Sequence, residues 1–220
     1  ANEFSTIICQ FILSKLPLKN ATKRIVLYSD GCNYQNRNST LSYALLHLLM
    51  TNDIEIKQKF LEKGHTQMKC DSMHSNIENS LKNQKINVPA NYTSICEKAQ
   101  RKPHPYKVHY LHHSYLKNFE NSKFYSNICP GKTTGDSCVT DIRGLRYTPN
   151  GQISYKLRFS SKWSSMLIRT KQRDAKQFAD FQSYIQKGLK LQKQYEHLQD
   201  LKKSKEADFH GFYDNIPHEI

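Results

Sequence analysis

Two short stretches carry the residues best suited to chemistry. In KRIVLYSDGCNYQNRNS, Lys23 to Ser39, an apolar run from Ile25 to Tyr28 ends in Ser29-Asp30-Gly31 and passes into a turn rich in asparagine. An acid at the carboxyl end of a buried strand is where many α/β proteins place reactive groups. Asp30 is therefore read as a metal-binding carboxylate. In GHTQMKCDSMHSNIE, Gly64 to Glu78, the residues Asp71, His74 and Glu78 fall at i, i+3 and i+7. A helix opening at Asp71 lines them along one face, although any polar helix face shows the same spacing. With a rise of ~1.5 Å per residue, Asp71 and Glu78 stand about 10 Å apart along the axis. That is too far to share one ion readily, so Asp71 with His74 ranks above Glu78.

A hard cation such as Mg²⁺ or Mn²⁺ is satisfied by one or two carboxylates, retained waters and a substrate phosphate. In a two-metal site with ions ~3.5–4 Å apart, one ion activates water or a 3′ hydroxyl and the other stabilises the leaving oxygen. If the two strands are parallel, their carboxyl ends share an edge. Asp30, His65 and the first helical turn with Asp71 and His74 are then expected to cluster there.

The charge balance supplies the substrate class. Lys and Arg total 33 against 19 Asp and Glu, giving a net charge of +14 over 220 residues. A polyanion is the expected partner, with nucleic acid, DNA foremost, ahead of a membrane surface. Arg37, Lys132, Arg143, Arg146, Lys156, Arg158 and Lys162 are the candidate nucleic-acid contacts. Trp163, beside Lys162, is either a base-stacking residue or part of the core.

Other signals are weaker. No apolar run approaches the ~18 residues of a membrane span, and the start lacks a basic-then-apolar leader pattern. A nuclear or cytoplasmic location follows, and the missing initiator Met suggests a fragment or processed product. The six cysteines form no C-x-x-C pair, which favours a reducing compartment. The sequons at Asn20, Asn38 and Asn91 do not overturn that expectation in so Asn-rich a chain. PGKTTGD, Pro130 to Asp136, lacks the earlier glycine and the following helix of a phosphate-binding loop. Cys129 and Cys138 with His112 and His113 are read as zinc ligands or, more simply, as buried thiols and surface histidines.

These residues need elements to hold them. Phe4, Ile7, Ile8, Phe11, Ile12 and Leu16 predict an amphipathic helix stopped by Pro17. A strand at Ile25 to Ser29 follows, then a helix through Leu41, Leu45, Leu48 and Leu49 capped by Ser39 or Thr40. A strand through Ile54, Ile56 and Phe60 and a helix from Asp71 to Lys82 complete an alternation that predicts parallel strands joined by crossover helices. Farther on, a helix is expected at Tyr92 to Gln100, a strand at Lys107 to Leu111, and a hairpin with arms Val139 to Tyr147 and Ile153 to Phe159. Arg173 to Lys205 reads as a long basic helix that packs on the body or on a partner, including a second copy, and the aromatic tail is expected to dock back. The segments divide as 1–88, 89–170 and 171–220.

The blocks SDGCNYQNRN and GHTQMKCDSMHSNIE, with ANEFSTII at the start and FYDNIP near the end, resemble an uncharacterised, transposon-derived domain family of insects and cnidarians. The resemblance implies an α/β fold with an RNase H-like, transposase- or integrase-type mixed sheet. It makes Asp30 the second acid of the set and Asp71 or Glu78 the third, with His74 resembling the histidine of resolvase-type members. Three strands and a first acid expected of that plan have no counterpart before Ala1, so a truncated core is expected, its exposed edge a place for the later hairpin. Two readings result. One is Mg²⁺-dependent phosphodiester cleavage or strand transfer, and the other is a non-catalytic basic domain that binds nucleic acid or a protein partner.

Overall fold

The computed structural model describes residues 2–16, 24–32, 35–62, 64, 67–119, 125, 127–167 and 192–216. Its elements are α1 (Asn2–Lys15), β1 (Arg24–Ser29), α2 (Ser39–Asn52), β2 (Glu55–Phe60), α3 (Lys69–Leu81), α4 (Pro89–Lys98), β3 (Gly144–Tyr147), β4 (Ile153–Lys156), β5 (Ser164–Ser165), α5 (Gln192–Lys203) and α6 (His210–Asp214). They group into two compact units. One comprises 1–66 and 114–184 and holds the sheet, and the other comprises 67–113 and 185–220 and is helical.

In the sheet unit, β1 and β2 are parallel, with Ile25 opposite Ile56 and Ser29 opposite Phe60. Helix α2 is the crossover between them, as the alternation predicts. β3 pairs antiparallel with the far side of β2, β4 with β3, and β5 with β4, in the order β1-β2-β3-β4-β5. The fold is thus mixed α/β with a five-stranded mixed sheet. The hairpin does not cover β1. Among the described residues β1 pairs with β2 alone and keeps its other edge unpaired.

The side-chain period of two divides the strands. Ile56, Gln58, Phe60, Leu145, Tyr147 and Ile153 are buried, and their apolar members share one core with Leu41, Leu45, Leu46 and Leu49 of α2. Each such aliphatic side chain contributes roughly 1.5–3 kcal/mol by leaving water. The Tyr147 hydroxyl lies in hydrogen-bond contact with Gln58 Oε1 and Ser42 Oγ, so this buried phenol has partners, and burial raises its pKa. The alternate residues face the other way. Arg24, Val26 and Tyr28 share that side with Glu55, Lys57 and Lys59, then Arg146, then Lys156.

Two helices of this unit depart from their expected details. α2 is capped by Asn38, whose side chain accepts from Leu41 N at 2.8 Å, rather than by Ser39 or Thr40. α1 forms where its apolar spacing predicts, yet it buries Asn2, Ser5, Thr6, Cys9 and Ile12 while Ile7 and Phe11 are exposed. The reason is hydrogen bonding. Asn2 Oδ1 accepts from Phe119 N and Thr6 Oγ1 from Lys117 N, so a loop more than a hundred residues away selects the inward face.

In the helical unit, α3 has no buried residue. Tyr213 of α6 is buried and its hydroxyl donates to Asn87 O, while Lys85 pairs with Glu206 at 2.6 Å. The aromatic tail therefore docks, here onto the segment before α4. That helix starts at Pro89, a position suited to a residue without an N–H, and Asn91 Oδ1 accepts from the amides of Asn87 and Val88. Lys107 to Leu111 forms no strand and joins no sheet, because alternation without a neighbouring ladder does not make a strand; Tyr110 is exposed. Of the long basic helix, Gln192–Lys203 is helical, and residues 168–191 lie outside the described residues. Among the described residues no helix is long and apolar enough to cross a membrane.

Candidate functional site at the strand ends

Because β1 and β2 run the same way, Asp30, the first residue past β1, and Glu62, two residues past β2, emerge at one edge of the sheet. Leu61 N donates to Ser29 O at 2.8 Å, continuing the ladder. Phe60 N donates to Arg143 O at 3.0 Å, and Arg143 N to Lys156 O at 2.8 Å, which brings Arg143 to the same edge. Asp30, Gly31, Arg37, Leu61, Glu62, Gly64, Thr140 and Arg143 line a pocket of about 410 Å³. Open α/β sheets bind ligands beyond the carboxyl ends of their strands.

Arg37 is the most constrained group. It is 6% exposed, with its guanidinium 4.6 Å from the centre of the Phe60 ring and Nη1 donating to Thr140 O at 2.7 Å. Its Nε has no partner among the described residues. Burial lowers its pKa most, the charge of Arg143 lowers it further, and Asp30 and Asp141 oppose both. Arg143 Nη1 shares the Thr140 carbonyl at 3.1 Å, while its Nε stands 3.7 Å from Glu62 Oε1. A Cβ on residue 31 would come within 2.9 Å of Arg37 Nη2, so glycine leaves room for the guanidinium.

Of the asparagines after Asp30, Asn38 caps α2 and Asn36 holds the acid. Asp30 Oδ1 accepts from Asn36 Nδ2 at 2.5 Å and from Cys32 N at 3.2 Å, and Asn36 is itself buried, with Gln58 Nε2 donating to its carbonyl. The carboxylate is thereby aimed by a turn anchored to the core. Asp30 and Glu62 are both hard oxygen donors, which suits a divalent cation that also takes substrate phosphate. Among the described residues no three His, Cys, Asp or Glu side chains gather as a metal-binding group.

Residues 2–124 match the model of a family described as Domain of unknown function (DUF7869). The chain belongs to this DUF7869 family. No curated protein and no solved structure matches it. The DUF7869 match includes Asp30, Arg37 and Glu62 and ends before Thr140 and Arg143, so the pocket is completed by residues beyond the matched segment.

The remaining candidates are placed as follows. Asp71, His74 and Glu78 are exposed on α3 in the helical unit, and Asp30 belongs to the sheet unit. Asp71 has a local role: at the third position of α3, its Oδ2 accepts from Met68 N at 2.6 Å, tying down the helix start. His65 lies outside the described residues. Lys132 is exposed in a loop where Asp136 Oδ2 takes the amides of Lys132 and Thr133. These donors are occupied, as the absent phosphate-loop pattern implies. Cys129 and Cys138 belong to the sheet unit and His112 and His113 to the helical one; Cys138 Sγ lies 2.8 Å from Thr140 Oγ1. Arg146 and Lys156 lie on the sheet face away from α2, within 5.1 and 4.9 Å of the Trp163 ring centre, and Arg158 and Lys162 are exposed between β4 and β5. Glu62 and Thr140 were not singled out by the sequence. Glu62 had a signal, its place just past the second parallel strand; Thr140 contributes through its carbonyl, which side-chain type cannot reveal.

Proposed function

We propose that this domain processes nucleic acid at the strand-end pocket, with Arg37 and Arg143 holding a backbone phosphate and Asp30 and Glu62 holding Mg²⁺ or Mn²⁺. The observation that supports the reading is the meeting of two guanidiniums and two carboxylates around one opening at the ends of parallel strands. Guanidinium forks match phosphate oxygens in geometry and charge. A phosphate entering between Arg37 and Arg143 offsets the repulsion between them and offers a partner to the buried guanidinium. Asp30 and Glu62 would hold the ion, which would supply an activated water or hydroxyl for in-line attack on phosphorus, the P–O bond to the leaving oxygen breaking as the new one forms. Asn36 keeps the Asp30 carboxylate oriented, and Gly31 keeps Arg37 close to the opening. An RNase H-like, transposase-derived core is part of this proposal, and it would set further strands along the unpaired edge of β1.

A second reading, binding without cleavage, is favoured by the local engagement of the Asp71 carboxylate, which accepts from Met68 N at the start of α3. One experiment separates the two. Labelled DNA is incubated with the chain and Mg²⁺ or Mn²⁺, and nicking and binding are followed for wild type, Asp30→Asn, Glu62→Gln and Arg143→Ala. Under the processing reading both carboxylate variants lose nicking while still binding, and Arg143→Ala weakens binding roughly 10- to 150-fold, the scale of a charged hydrogen bond. Nicking that survives Asp30→Asn refutes the assignment. Binding in all four without cleavage in any supports the second reading.

A further inference from the structure

The helices of the sheet unit pack against one face of the sheet, and the other face presents a different chemistry. Tyr28 is 55% exposed there and Val26 44%. Lys59 Nζ lies 5.2 Å from the centre of the Tyr28 ring and 3.2 Å from its hydroxyl. Two strands away, the Trp163 indole packs on Gly144, where a Cβ would sit 3.5 Å from it, and Gly144 lies opposite Lys59. Arg146 and Lys156 flank that ring, and the Arg146 Nε is buried without a partner among the described residues. Glu55 is the acid on these strands' outward side, and it is engaged by Arg24 and Lys57. Tyr28 and Trp163 are thus two strand spacings apart, roughly 10 Å, with cations beside each.

We propose that this open face is a stacking platform for single-stranded nucleic acid, with Tyr28 and Trp163 taking bases and Lys59, Arg146 and Lys156 taking phosphates. Charge complementarity selects a polyanion, and the aromatic rings select among polyanions. A flat sheet face can stack on bases only when their faces are bare, as in a single strand; in a duplex they are covered by their neighbours. The inference rests on the nucleic-acid reading above and names its substrate class. Tyr28 and Lys59 lie two and three residues before Asp30 and Glu62, so a strand crossing the platform leads to the strand-end pocket.

The test uses the full chain and short oligothymidylate, free or annealed to its complement. Trp163 is the chain's single tryptophan, so its fluorescence reports on this face alone. The single strand is expected to quench Trp163 and to bind with an affinity that falls steeply with salt. Tyr28→Ala should weaken it roughly 5- to 150-fold, the range for one stacked base, and Tyr28→Phe should restore most of that. Equal affinity for the annealed duplex, equal affinity for polyglutamate, absence of quenching, or indifference to Tyr28→Ala would each overturn the proposal. Asp30→Asn separates the two sites: lost nicking with quenching retained leaves the platform standing, whereas nicking that survives with quenching intact sinks the pocket assignment alone.

Discussion

The sheet unit and the helical unit each contain a set of polar residues whose types suggest catalysis, and they differ in what holds those residues. In the sheet unit, Asp30, Arg37 and Arg143 come from separate parts of the chain and meet because two parallel strands end together and a third antiparallel strand delivers Arg143 to the same edge. In the helical unit, Asp71, His74 and Glu78 share one helix, and that helix has no fully buried residue. A face defined by i, i+3 and i+7 brings side chains near one another without desolvating or orienting them. Groups positioned by several elements have partners that fix them, as Asn36 fixes Asp30 and Phe60 underlies Arg37.

The contrast is open to direct attack. Leu45→Ala, at a side chain with no exposure in the sheet unit, should cost about 2–5 kcal/mol, while Ile77→Ala on α3 should cost under ~1 kcal/mol; denaturant melts of both variants measure it. Equal losses would mean that α3 is held as firmly as α2. Asp71→Ala should cost about 0.3–1.5 kcal/mol through the lost bond to Met68 and leave any metal-dependent nicking intact. A nicking defect there would return chemistry to the helical unit. The smallest effect concerns acid. Asp136 and Asp141 of the sheet unit both have carboxyls lowered below the ordinary 3.8, chiefly by backbone amides, those of Thr133 and Cys138 respectively. A lowered folded pKa means stability fully present above the unfolded value and lost as pH falls through the folded one. The thermal midpoint should therefore drop below about pH 4, and Asp136→Asn should flatten part of that drop.

Much of the sheet unit was readable from sequence. The α1–β1–α2–β2 order, the parallel pairing and the hairpin follow from apolar periodicity and turn residues, because each is a local pattern with a single burial solution. Asp30 was readable as an acid ending a strand, although that strand, expected to be buried, is an edge strand with alternate residues exposed. The inward face of α1 was not, since bonds from Lys117 and Phe119 override its apolar stripe. Nor was the unpaired state of Lys107 to Leu111, for a strand is a property of two segments and periodicity describes one. Glu62 follows a strand that periodicity predicts, but its part in the pocket depends on Arg143, which only the pairing of β3 with β2 brings beside it.

That placement also carries a cost in time. β2 ends at Phe60 and its partner β3 begins at Gly144, more than eighty residues later. At ribosomal rates of ~5–20 residues per second, β2 waits roughly 4–17 s for its second neighbour. During that interval the nascent β1–β2 pair has open ladders on both sides, and such edges recruit strands from other chains. The lysines and arginine on its outward face, Arg24, Lys57 and Lys59, repel an identical pair approaching from a neighbouring nascent chain. Lys59, one of the cations proposed to receive nucleic acid in the finished domain, would thus also protect it while it is still being made.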